Sequence, residues 1–553
     1  MAGRCFGKNV GSEVMEAWDV IVLGDGPAAL HAAAEAAKEG ANTLLMSATG
    51  LGQPGMASLT GLSASLQESN NRSHREDTIR CSEFLSDQDM VSSTTAKAVK
   101  IIDLLERRGV NFRRDAQGLP MVRKSLGHSQ PRNVSAGSTT ARELHQISEE
   151  QCMRHGVIRR GDQIPLTLVH NNQTVTGMIA LDMVNGRVIG LQCKALIIAD
   201  EGFEGAYSSG ISGLGMDLAF RAGVSLRDME FVMKHPLVIK GTNLFLPLDL
   251  LGDGARVHEG SGAPIEVNSM SPIEACAAIE AAVQPVLDAR EMGASTEWWG
   301  SIFRLVQQRT GIDMSRQTVA LEPAVSHTIG GLPVDLNGRC VVDTWARWFT
   351  GLYAAGDAAC TGMHGAAALP GNRMLDGLCS GIAAGSHAGQ WVKGRTFGSA
   401  DALTSSLEQS TADLSAMLGD GEGTHVVRCG TVMASVRAAL ATGSNRTDDS
   451  LATLLTKLES AAVAAESIHL DQTSLIANTN LLEIFRTQAS VRMLIAATQS
   501  GMARKESRGA FQRSDFEASN EDLLHHNTVD HLGSIGTLAL KKGEGGHWVL
   551  PPQ

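Results

Sequence analysis

Two glycine-bearing segments, hundreds of residues apart, carry the chemistry available to this sequence. The first, Gly24-Asp25-Gly26-Pro27-Ala28-Ala29, follows an apolar run at residues 18–23. In a Gly-x-Gly-x-x-Ala turn the first glycine permits a tight bend, and the second lets the backbone approach a pyrophosphate. The alanine lets the next helix pack closely on the strand. That helix offers amide donors and a partial positive charge at its N-terminus, which suits phosphate. The second segment is Ala354-Ala355-Gly356-Asp357-Ala358. Asp357 has the chemistry to accept a hydrogen bond from a ribityl hydroxyl, and a helix-capping role is compatible with that. A simple NAD domain needs no second segment. The acidic residue that commonly ends its second strand is missing too. Met46-Ser47 stands there, although Ser47 could reach a ribose hydroxyl. Two such turns closing on one dinucleotide predict FAD.

The rest of the chain must hold that pair together. At 553 residues it should form about two to four domains. Its 43% hydrophobic and 19% charged residues match a soluble globular protein. The formal net charge of −12 disfavours nonspecific binding to nucleic acid or to anionic membranes. The 9 cysteines are dispersed, and no two have C-x-x-C spacing. That argues against an iron–sulfur or zinc site in this chain and for a reducing compartment. No metal site is expected. No stretch of about 18 apolar residues occurs, nor a signal-peptide core. The expectation is a cytoplasmic protein without direct membrane insertion, peripheral to a membrane only through a partner.

Periodicity supplies the elements. Residues 18–23 read as a parallel strand buried on both faces. Residues 30–38 read as an alanine-rich helix stopped by Gly40, and 42–46 as a second strand, completing a βαβ unit. Helical patterning covers 77–110 and ends at Gly109. Residues 164–199 carry strand patterning with a turn at Asn185-Gly186, and 194–199 leads into Asp200-Glu201-Gly202-Phe203. Residues 400–510 are helical, and 475–505 repeats apolar residues at spacings of three and four, as a bundle helix does. Residues 1–17 and the tail beyond about 532 read as irregular.

With these segments in hand, the chain resembles the flavoprotein subunits of succinate dehydrogenase and fumarate reductase, a family that includes L-aspartate oxidase. The matches run in order. They are Asp77-Thr78 with Ser86-Asp87-Gln88-Asp89, Leu126-Gly127-His128-Ser129, and Arg221-Ala222-Gly223 with Arg227-Asp228-Met229-Glu230-Phe231-Val232 and His235-Pro236. Thr328-Ile329-Gly330-Gly331 and Glu506-Ser507-Arg508-Gly509-Ala510, with Arg513 and Asp515, follow. The resemblance implies an α/β fold: a Rossmann-type FAD-binding domain (18–235 and 346–398), an inserted α+β capping domain (236–345), a C-terminal helical bundle (399–532) and a tail (533–553). It implies FAD contacts from Gly24, Gly26, Ala29, Ser47, Gly61, Asp200, Gly202, Asp357, Asn372, Arg373 and Met374. It implies His235, Arg256 and His364 as catalytic candidates, a small carboxylic acid as substrate and an iron–sulfur subunit as partner.

The departures bear on function. The family's flavin-linking histidine has no counterpart at Gln53-Pro54-Gly55 or Leu59-Thr60-Gly61, so the FAD should be noncovalent. Ala368 replaces an arginine that clamps a substrate carboxylate, and Ser326, next to His327, replaces a histidine. The family's helix-opening Arg-Asp pair aligns with Cys276-Ala277. Arg256 lies in Asp253-Gly254-Ala255-Arg256, similar to the family's proton-relay segment. A buried carboxylate without its clamp costs about 3 kcal/mol or more. Two alternatives therefore stand beside the enzyme reading: an impaired paralogue serving as subunit or scaffold, and an L-aspartate oxidase-like enzyme.

Overall fold

The first apolar run becomes a central strand because both of its faces have something to bury against. Val20 and Val22 point into one hydrophobic cluster, Ile21 and Leu23 into another. In the computed structural model, residues 14–52, 61–67, 70–208, 213–342, 347–419, 427–442, 445–470 and 472–552 are described. The Val14–Leu23 strand lies between Arg187–Ile198 and Thr43–Met46 in an eight-stranded sheet, parallel to both. It starts at Val14 rather than at 18, because Val14–Trp18 continue the ladder opposite Ile189–Cys193. Trp348–Ala354 joins on the other side of Arg187–Ile198, also in parallel. Leu23 pairs with Met46 and Ile198, and Ala354 pairs with Ile198. The carboxyl ends of four strands therefore stop at one edge, where a doubly wound sheet binds ligands.

Small residues bring the two glycine segments together. The Pro27–Lys38 helix presents Ala28, Ala32 and Ala36, one per turn, to Gly381, Gly385 and Gly389 of the Asn372–Trp391 helix. A Cβ at Gly381 would lie 2.3 Å from the Ala28 carbonyl oxygen, and one at Gly385 would lie 2.1 Å from that of Ala32. Only glycine permits this approach, and it locks the helix after the second turn onto the helix after the first.

Residues 237–321, joined by Leu126, build a second core, with Trp299, Phe303 and Leu287 inside. The helices Cys429–Thr442, Asp448–Glu466 and Thr479–Ala503 pack as a small bundle. Among the described residues no helix is long and apolar enough to cross a membrane.

Two local expectations fail. The helical stretch at 77–110 is two helices, Asn71–Cys81 and Gln88–Arg108, interrupted where Glu83 and Phe84 take positive φ. The tail is not loose. Ile535–Leu538 forms a strand on His526–Val529, which pairs in turn with Leu226–Arg227. The amides of Val549 and Leu550 donate to Gln88 Oε1. The hairpin itself is local, but its partners Leu226–Arg227 and Gln88 are far away in sequence, so no local pattern announces where the tail docks.

Candidate functional site

Where the strands end, Gly24 turns the chain at φ 123°; a Cβ there would meet the Ala199 carbonyl oxygen at 2.3 Å. At Gly26 a Cβ would meet nothing within 4 Å, because that residue faces open space. The space is a crevice of about 380 Å³, lined by Gly24, Gly26 and Ala28 on one side and by Gly356 and Asp357 on the other. A Cβ on Gly356 would lie 2.8 Å from that of Ala28, so the two turns touch.

The crevice holds polar groups without partners. Asp200 Oδ1, Glu204 Oε2 and both ring nitrogens of His145 are buried and make no hydrogen bond. Each such group costs about 1–3 kcal/mol, so they fit a polar ligand that completes them. Burial pushes the Asp200 carboxyl up to about 7, against the Gly215 amide that donates to it at 2.6 Å. Arg373 forks onto Asp357, with Nε to Oδ1 at 2.8 Å and Nη2 to Oδ2 at 2.6 Å, and also reaches Glu204 Oε1 at 3.2 Å. Such bidentate pairs are among the stronger hydrogen bonds.

Behind Arg373 and Met374 opens a second, smaller cleft of about 60 Å³; these two side chains line both spaces. A two-stranded ribbon, Val232–His235 against Ala324–Thr328, brings His235 and His327 to it. His235 Nε2 lies 2.7 Å from the Leu246 carbonyl oxygen, and burial lowers its pKa to about 4. His327 Nδ1 lies 3.0 Å from Ser326 Oγ, while its Nε2 makes no hydrogen bond. Burial, with Arg373 nearby, holds His327 well below the usual histidine range. Both rings are neutral at physiological pH. Ala368 and Leu369 complete an apolar wall.

The expected residues divide. Gly24, Gly26, Ser47, Asp200, Asp357, Arg373 and Met374 line the crevice, and His235 lines the cleft. Ala29, Gly61, Gly202 and Asn372 stand behind them. A Cβ on Gly61 would strike the Val134 carbonyl oxygen at 1.9 Å. Asn372 bridges His74 at 2.8 Å and Thr78 at 2.9 Å. His364 sits 3.3 Å from Asp376 and lines neither space. Arg256 is exposed on the Arg256–His258 strand and is not brought to the site. Its neighbour Asp253 is buried instead, accepting from Arg113, from Arg123 Nε at 3.0 Å and from Trp299 Nε1 at 2.8 Å. The Pro272–Ala281 helix has its N-cap at Ser271 and its first turn at Pro272-Ile273-Glu274, so Cys276-Ala277 lies beyond the helix opening. Residues 53–60 lie outside the described residues. Sequence reasoning missed His145, Glu204 and Arg486 in the crevice. It also did not select Asp25, although that residue lies inside the glycine turn.

Comparison with known proteins agrees with this geometry. The family model described as FAD binding domain matches residues 19–374, and that described as fumarate reductase flavoprotein C-term matches residues 439–541. A fumarate reductase flavoprotein subunit of Mycobacterium tuberculosis is 26% identical over 571 residues, covering 94% of this chain and 96% of the relative. An L-aspartate oxidase of Agrobacterium fabrum is 31% identical over 418 residues, covering 72% of this chain and 78% of the relative. Among solved structures, E. coli quinol fumarate reductase superposes with a TM-score of 0.88 at 22% identity, covering 98% of each chain.

Proposed function

The chain belongs to the FAD-dependent family of succinate dehydrogenase and fumarate reductase flavoprotein subunits and L-aspartate oxidase, and from this we propose an FAD-dependent oxidoreductase that moves a hydride between a small carboxylic acid and noncovalent FAD. One observation carries the reading: both glycine turns line one crevice, and its far wall, Arg373 and Met374, is shared with the histidine-lined cleft. When bound, FAD supplies a two-electron acceptor at its flavin end. The chain does the rest. The amides at Gly26 and the start of the Pro27–Lys38 helix would hold the pyrophosphate. Asp357, fixed by Arg373, would take a ribityl hydroxyl. Met374 and Leu369 keep water from the reacting end. His327, neutral and with Nε2 unbonded, holds or moves the proton, while His235 is oriented by the Leu246 carbonyl. His364 acts through Asp376 as a positioning residue. Electrons leave to an iron–sulfur partner subunit, and any membrane association is peripheral, through that partner.

The scaffold alternative has one observation in its favour. Among the described residues Arg373 is the one guanidinium lining the cleft, and two carboxylates already hold it. Reconstitution separates the readings. Incubate the purified protein with FAD, remove free flavin, then add small carboxylic acids anaerobically. The enzyme reading expects one retained flavin per chain and loss of its visible absorbance with a particular acid. Retained flavin that no acid bleaches favours the scaffold; no retained flavin contradicts both.

A further inference from the structure

Carboxyl groups outnumber guanidiniums around the crevice. Asp25, Asp200, Glu201, Glu204 and Asp357 line it, against Arg373 and Arg486. Arg373 is already engaged by Asp357 and Glu204. Asp25 stands between the two glycines whose turn faces the pyrophosphate, where a carboxylate and a phosphate repel. A cation bound between the two would turn that repulsion into attraction.

Three donors converge there. Asp25 comes from the glycine turn, and His145 and Glu149 come from successive turns of the Thr140–Arg154 helix, at the i, i+4 spacing that shares a face. One ligand atom of each lies within 4.8 Å of the other two. His145 is 2% exposed, and neither ring nitrogen has a hydrogen-bond partner. Glu149 gives Oε1 to Arg159 at 2.5 Å and turns Oε2 toward His145 Nε2 at 4.0 Å. A buried imidazole aimed at two carboxylates, with nothing to bond, is the signature of a missing ligand.

We infer that Asp25, His145 and Glu149 form a divalent-cation site at the mouth of the phosphate turn, where the ion bridges Asp25 and a pyrophosphate oxygen of the bound dinucleotide. This rests on the FAD reading above. Two carboxylates, one imidazole and a phosphate oxygen suit a hard ion that tolerates nitrogen, and Mn²⁺ meets that description. The cysteine spacing that argued against a metal has no bearing on a site without cysteine.

The test measures FAD binding by fluorescence and Mn²⁺ binding by electron paramagnetic resonance on the full chain. FAD affinity is expected to rise about tenfold or more from EDTA to Mn²⁺, with one ion immobilised per chain. His145→Gln should abolish the response to Mn²⁺. Asp25→Asn should abolish it too, yet bind FAD more tightly than wild type in EDTA, because the repelling charge is gone. Equal FAD affinity in EDTA and Mn²⁺ overturns the site. So does a His145→Gln loss of the same size in both, which would mean the ring touches the dinucleotide directly. If Mn²⁺ binds and FAD binds in neither condition, the FAD reading fails and the bridging role with it, while the three-residue ion site stands.

Discussion

Two sets of buried charge in this molecule are arranged in opposite ways. Between the C-terminal segment and the nucleotide domain, buried charges of the described residues pair with one another. Arg504 donates to Glu230 at 2.6 Å and to Glu506 at 2.8 Å, and Arg508 clasps Glu506 from its other side. Beside them His526 bridges Asp228 at 2.6 Å and Asp87 at 3.2 Å, and Arg227 reaches Asp87 at 3.2 Å. Burial alone would discharge His526, but the two aspartates push it up to about 9. Around the crevice, carboxylates outnumber guanidiniums and buried polar atoms lack partners. The saturated network staples distant parts of the chain together. The unsaturated one is completed by what binds there.

The sharpest way to break this contrast is to remove one cation from the saturated side. Arg504→Met leaves Glu230 and Glu506 buried without their partner and should cost about 3–5 kcal/mol in denaturant unfolding. Asp200→Asn, on the unsaturated side, should cost nothing. It should gain stability above pH 7, because a carboxyl with a raised folded pKa loses its contribution as pH climbs through about 7. Equal losses in both variants would erase the distinction.

His526→Gln should cost about 3 kcal/mol near pH 6. A histidine with a raised folded pKa contributes fully below its unfolded value of about 6.5. That contribution is lost as pH rises through about 9. The gap between wild type and variant should therefore close from pH 6.5 to 9; a gap independent of pH would contradict the charged network.

Gly385→Leu pushes a side chain onto the Ala32 carbonyl and should cost about 1–3 kcal/mol, together with retained flavin. Undiminished flavin retention would mean that the helix contact does not align the turns. A smaller loss is expected from Asp357→Asn, which loosens the hold on Arg373 and should weaken FAD binding about tenfold by equilibrium titration. An unchanged affinity would remove Asp357 from the site.

What was legible in the sequence was local. The apolar run before Gly24 and the Gly356-Asp357 turn announced themselves because strand burial and tight turns leave their mark on neighbouring residues. The ordered matches at Arg227–Glu230 and Glu506–Arg508 were visible, but their meaning was not: they meet as one ionic cluster. Arg256 shows how a motif can mislead. Along its strand Ala255 and Val257 point inward, so the residue between them faces solvent. His145 and Glu204 were illegible because each enters the crevice from an element whose approach is set only by tertiary packing.

The central claim is that both glycine turns serve one dinucleotide. A crystal structure of the protein grown with FAD tests it most directly. The account predicts the pyrophosphate against the Gly24–Gly26 turn, a ribityl hydroxyl on Asp357 and the flavin ring beside Arg373 and Met374. Density for FAD away from either turn, or a crevice that excludes it at saturating concentration, would contradict it.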